Sequence, residues 1–116
     1  MTKVMLVDDD RTMVRLLRTL LELDGFVICQ ASRGMDVLPV ARQEKPDLIL
    51  MDVHLADADG LEILRELRGS DLASIPVLMS SGMDLEDECL HSGASAFILK
   101  PYPPDELVRA IRNLIR

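Results

Sequence analysis

The chain has 116 residues, 48% of them apolar and 28% charged, with a formal net charge of −7. That length and balance support one domain spanning residues 1–116 with a real core, and they exclude disorder as the default. The acidic excess, with no lysine tract, argues against direct contact with nucleic acid or an anionic membrane and favours proteins or cations as partners.

No apolar stretch approaches the roughly 18 residues that a membrane helix needs. The start MTKVMLV runs straight into patterned sequence without a signal peptide, so a cytoplasmic location is expected. Cys29 and Cys89 lack CxxC spacing and read as buried free thiols.

In chain order, short apolar runs alternate with longer helical patterns. Val4 to Val7 predicts the first strand and runs into Asp8, Asp9 and Asp10. Met13, Leu16, Leu17, Leu20 and Leu21 then recur at helical spacing, with Arg11, Arg15 and Arg18 on the outer side. Phe26 to Cys29 predicts the second strand, and the second helix is expected within Arg33 to Glu44. Pro39 would interrupt that helix unless it falls in the first turn.

Leu48 to Met51 predicts the third strand, which delivers Asp52. Asp59 reads as the cap of a third helix with Leu61, Leu64 and Leu67 on one face. Val77 to Met79 leads into Ser80 and Ser81, a fourth helix fits Asp84 to His91, and Phe97 to Leu99 predicts a fifth strand ending at Lys100. The fifth helix lies in PPDELVRAIRNLIR: Pro104, Asp105 and Glu106 suit its first turn, and Leu107, Val108, Ile111, Leu114 and Ile115 face the core. Arg109, Arg112 and Arg116 read as a solvated face near its C-terminus, or as a contact face for a partner.

This alternation gives an α/β fold of (βα)5 form. Right-handed crossovers make it a doubly wound parallel sheet, with any site at the carboxyl ends of the strands near a topological switch point. Four of the five predicted strands deliver polar groups to that edge: Asp8-Asp9-Asp10, Asp52, Ser80-Ser81 and Lys100. Two unit charges about 4 Å apart repel by about 4 kcal/mol at an effective dielectric of 20, so crowded carboxylates need an offset, usually a cation. Carboxylates from two strands make a hard oxygen site suited to Mg²⁺. A hydroxyl and an ammonium opposite them would contact phosphoryl oxygens. Beside such a metal an Asp can attack a phosphoryl group and form an aspartyl phosphate, and Asp52, alone at its strand end, is the best candidate.

VMLVDDDRT, LILMDVHLADADG, IPVLMSSG and GASAFILKP, in that order, resemble the acidic-pair, phosphoacceptor, strand-four hydroxyl and lysine-proline motifs of response-regulator receiver domains. The resemblance covers essentially the whole chain. It implies a flavodoxin-like sheet of order 2-1-3-4-5 and a signalling switch in two-component systems. Asp52 would accept a phosphoryl group from a sensor histidine kinase or phosphotransfer protein. Asp9, Asp52 and the backbone carbonyl of His54 would hold Mg²⁺, with Asp8 acting through water. Ser81 and Lys100 would bind phosphoryl oxygens, Lys100-Pro101 would be a cis peptide, and Phe97 would turn inward on activation. His54 and Met83 occupy positions that tune phosphate lifetime in the family. The implied protein is not an enzyme in the ordinary sense, although Mg-dependent self-phosphorylation from a donor and slow self-dephosphorylation are expected. Its output would pass to an unidentified domain or protein, with a homodimer through the helix 4, strand 5 and helix 5 face as one form.

Two departures from the family pattern stand out. Ala56 occupies the place of a usual proline, which is expected to free the loop backbone. The stretch from Ser81 to Gly93 is also about three residues short, equivalent to roughly one turn of helix four. Two other functions compete. VDDDRT fits the Asp-x-Asp-x-Thr pattern of haloacid-dehalogenase-type phosphatases, with Asp8 as nucleophile, but no acidic motif follows at a later strand end and Asp52 is left unexplained. A receiver-like module that signals by contact alone would not need the complete pocket.

Overall fold

Each apolar run forms a strand and each helical pattern a helix. The computed structural model describes residues 1–116. Its elements are β1 (Lys3–Val7), α1 (Arg11–Leu23), β2 (Val27–Ala31), a 3-10 turn (Gly34–Asp36) leading into α2 (Val37–Glu44), β3 (Leu48–Asp52), α3 (Gly60–Arg68), β4 (Val77–Ser81), α4 (Glu86–His91), β5 (Ala96–Leu99) and α5 (Pro104–Leu114). All neighbouring strands are parallel and the sheet order is β2-β1-β3-β4-β5, as expected for a doubly wound, flavodoxin-like fold.

Alternation along the strands sends side chains to two separate cores. Val4 and Leu6 pack with Leu48, Leu50 and Leu78 under α1 and α5, while Met5 and Val7 pack with Ile49, Met51 and Met79 under α2, α3 and α4. Burial on both faces explains why the inner strands read as unbroken apolar runs. Cys29 and Cys89 are buried free thiols.

The second strand differs from its predicted span. Gly25 adopts φ 90, and the Phe26 amide donates back to the Leu21 carbonyl at 3.1 Å, so Phe26 closes the end of α1. Pairing with β1 instead runs to Ala31, opposite Val7. As an edge strand, β2 leaves Val27 and Gln30 exposed.

Asp10 caps α1 by accepting from the Met13 amide at 3.1 Å. The buried stripe of this helix is Val14, Leu17 and Leu21. Leu16, expected inside, is 55% exposed because at about 100° per residue it falls off that stripe. Pro39 is the third residue of α2, where its missing N–H leaves no intrahelical bond unmade. The fourth helix starts at Glu86, two residues later than Asp84, and is one short piece of six residues. On α5, Arg112 is not simply solvated: it lies over the Phe26 ring at 5.1 Å and donates to the Asp24 carbonyl at 3.2 Å, pinning α5 to the end of α1.

Candidate functional site

Sheet register assembles the candidate site. Val7 pairs with Met51, so Asp8 follows β1 abreast of Asp52, the last residue of β3. Asp52 in turn pairs with Ser80, and the Lys100 amide donates to the Ser81 carbonyl at 2.8 Å just past β5. Residues far apart in sequence thereby meet at one edge because each is the first polar residue after an apolar strand.

Lys100 joins two of the carboxylates. Its Nζ lies 3.3 Å from Asp8 Oδ2 and 3.3 Å from Asp52 Oδ2. Burial pulls the Lys100 ammonium pKa down, but Asp8 and Asp52 more than offset that and hold it above its ordinary value. Each aspartate also takes a backbone donor. Asp8 Oδ1 accepts from the Asp10 amide at 2.9 Å, Asp52 Oδ1 from the His54 amide at 3.4 Å, and Asp9 Oδ2 from the Ala56 amide at 2.6 Å.

That last bond bears on the loop after β3. The missing proline was expected to loosen the backbone there, yet the amide it exposes is fastened to Asp9. Asp57, the next residue, accepts from the Gly34 amide at 2.9 Å and the Met35 amide at 3.4 Å, and the Gly34 bond holds its carboxyl below the ordinary range. Asp59 caps α3 through the Leu61 amide at 2.9 Å. Gly60 is required by close approach: a β-carbon there would lie 2.5 Å from the Asp52 carbonyl oxygen and 2.9 Å from Val53 Cα.

The remaining predicted residues surround this edge. Ser81 is fully buried and its hydroxyl oxygen accepts from the Met83 amide at 3.1 Å, while the Met83 side chain is exposed. Phe97 is half-buried against the core beneath α2 to α4. His54 is exposed, and Lys100-Pro101 is cis. Tyr102 escaped the sequence reading. Its hydroxyl is buried without a protein partner beside a small void lined by Asp8, Asp52 and Ser80, and burial pushes its phenol up.

The donor set fits Mg²⁺ in kind: hard carboxylate oxygens from two strands, with one ammonium shared between two of them. The carboxylates do not converge on a single point, because Lys100 holds Asp8 and Asp52 while the Ala56 amide holds Asp9. No helix is long and apolar enough to cross a membrane.

A five-stranded parallel sheet carrying this acidic edge and lysine defines a class of signalling domain, and comparison with known proteins agrees. The family profile for the response regulator receiver domain matches residues 4–112, so the chain belongs to that family, the receiver domains of two-component response regulators. It is 37% identical over 117 residues to the alkaline phosphatase synthesis transcriptional regulatory protein PhoP of Bacillus subtilis, covering 98% of the chain but 48% of PhoP. The chain thus spans about half the length of that relative. It is 32% identical to the polar-differentiation response regulator DivK of Brucella anthropi, covering 97% of the chain and 94% of DivK. Among solved structures, the BeF3-activated N-terminal receiver domain of Klebsiella pneumoniae RstA superposes with a TM-score of 0.93 at 31% identity, covering 99% of each chain.

Proposed function

We propose that the chain is a phosphorylation-dependent switch, a single receiver domain over residues 1–116 whose phosphoacceptor is Asp52. The observation that carries this reading is the Lys100 ammonium, 3.3 Å from both Asp52 and Asp8 at the carboxyl ends of β1, β3 and β5. One Asp52 oxygen attacks the phosphorus of a partner's phosphohistidine. The new O–P bond forms as the P–N bond breaks, and the leaving imidazole takes the electron pair and a proton from solvent water. Lys100 supplies positive charge to the transferring oxygens, and Ser81 supplies a hydroxyl donor. Asp9, Asp52 and the His54 carbonyl would hold Mg²⁺, with Asp8 through water. When bound, the ion neutralises charge developing on the phosphoryl group.

Transfer changes what the pocket's ammonium and hydroxyl hold. Lys100, now on Asp8 and Asp52, turns to the phosphoryl group, and the Ser81 hydroxyl does the same, which moves the β4–α4 loop through its Met83 contact. Phe97 follows inward, and His54 and Met83 at the pocket mouth tune how long the phosphate lasts. Two pre-existing arrangements are thereby repopulated. The output face is α4, β5 and α5, where Leu90 and Leu99 are exposed, and it serves a second copy or an output domain or protein. A donor kinase or phosphotransfer protein is supported by an apolar groove of about 440 Å³ between α1 and the β5–α5 connection, which opens beside Lys100 and includes the outward-facing Leu16. The protein works in the cytoplasm, is not an enzyme in the ordinary sense, and loses its phosphate slowly by hydrolysis.

The test is intact mass after incubation with Mg²⁺ and acetyl phosphate. The wild type gains one phosphoryl group and Asp52→Ala gains none. No adduct on the wild type would replace this reading with a module that signals by contact alone.

A further inference from the structure

We propose that the groove between α1 and the end of β2 binds a small polyanion, a chain of linked phosphates held by Arg11, Arg15 and Arg18. These arginines lie at i, i+4 and i+7 on α1, so they rise along one side of the helix over about 10 Å. They line a cavity of about 510 Å³, with Gln30 and Ser32 on the opposite wall. None of the three forms an ion pair, whereas Arg33, Arg42, Arg109 and Arg112 each pair with an aspartate. Arg18 gives one of its five donors to Gln30 Oε1 at 3.1 Å, which leaves the Gln30 amide group as a further donor.

Helix formation alone does not account for this placement. The helix dipole favours anions in the first turn, yet α1 begins with Arg11 and has no acidic residue there. Arg11 with Arg15, and Arg15 with Arg18, are like-charge neighbours that weaken the helix unless an anion lies between them. In a chain of net charge −7, such a conflict with local preference points to a ligand. The limits of the groove define its chemistry. Asp8 lines it at one end, and Glu22 stands one turn beyond Arg18 on the same side of α1 at the other. An extended acidic peptide would be repelled at both ends, whereas a compact anion fits between them. The apolar lining is only Val14 and Ala31, with no aromatic ring to stack a base. Guanidinium forks bind phosphate oxygens in pairs, and Gln30 and Ser32 add neutral donors.

The experiment is calorimetric titration with tripolyphosphate, orthophosphate and citrate at constant ionic strength without Mg²⁺. Tripolyphosphate is expected to saturate one site and to bind at least about 10-fold more tightly than either of the others. Arg15→Gln and Arg18→Gln should each weaken it about 10-fold, while Arg109→Gln on α5 leaves it unchanged. Arg15 and Arg109 are exposed and Arg18 half-buried, and glutamine is a good helix former, so circular dichroism should show all three variants folded. A nucleoside triphosphate titrated in parallel assigns the source: equal affinity supports a nucleotide's phosphate tail, and weaker binding supports a free oligophosphate. No saturable binding of tripolyphosphate overturns the proposal. So does citrate binding as tightly, which would be attraction by charge alone, and so does unchanged affinity in Arg15→Gln and Arg18→Gln. Tighter binding of an acidic peptide than of tripolyphosphate would replace the phosphate site with a peptide-docking face.

Discussion

Replacing Lys100 by methionine keeps the aliphatic stem and removes the only side-chain cation bonded to Asp8 and Asp52. Both carboxylate oxygens lie 3.3 Å from the same nitrogen, so they are no more than twice that distance apart. At that separation two unit charges repel by about 2.5 kcal/mol at an effective dielectric of about 20. Allowing for solvent at the mouth of the site, Lys100→Met should lower the unfolding free energy by about 2 kcal/mol in Mg-free buffer at neutral pH. That is a large share of the ~5–15 kcal/mol of an ordinary domain. Urea unfolding followed by circular dichroism reads the loss as a lower midpoint at unchanged slope. Saturating Mg²⁺ should stabilise the variant more than the wild type, since a bound cation replaces the missing charge. A Lys100→Met protein as stable as wild type without Mg²⁺ would refute the reasoning, because the two carboxylates would then not be a crowded, charged pair.

Gly60→Ala places a β-carbon against the Asp52 carbonyl and Val53, all backbone, so it should cost about 1–3 kcal/mol in the same unfolding assay. An unchanged midpoint would mean that α3 can shift away from β3 without penalty. The Cys89 thiol is pushed up to about 11 by burial, with Glu88 and Asp59 adding to it. Its folded value lies above the ordinary 9.0, so its contribution to stability is complete below pH 9 and is lost as pH rises from 9 to about 11. At about pH 8 an aromatic disulfide reagent should therefore label Cys89 only at the rate of unfolding, and rapid labelling of the folded protein would contradict its burial.

Much of the fold was legible because the inner strands are apolar on both faces and end in charge. Val4 to Val7 and Leu48 to Met51 have no other way to be buried, and the carboxylates after them mark the edge where the chain leaves the core. Reading failed where a tertiary contact competed with pattern. Phe26 looks like strand but closes α1 through Gly25, and Leu16 matches helical spacing while lying just outside the buried stripe. The candidate site residues were readable as side-chain types at strand ends. The Ala56 amide and the Asp57 clamp were not, since backbone donors carry no residue-type signal and depend on how closely two loops approach. Tyr102 was missed for a related reason: two residues past Lys100 it looks like any half-apolar loop residue, and only the packed structure turns its hydroxyl toward the acidic edge.

The central claim is that Asp52, rather than a member of the Asp8 to Asp10 run, carries the phosphoryl group. Borohydride reduces an aspartyl phosphate to homoserine, which leaves a permanent mark at the acceptor. After phosphorylation with Mg²⁺ and acetyl phosphate, reduction and peptide sequencing by mass spectrometry should place homoserine at position 52 alone. Homoserine at position 8 would contradict the account in favour of phosphatase-type chemistry, and its absence everywhere would leave a domain that signals by contact without phosphate.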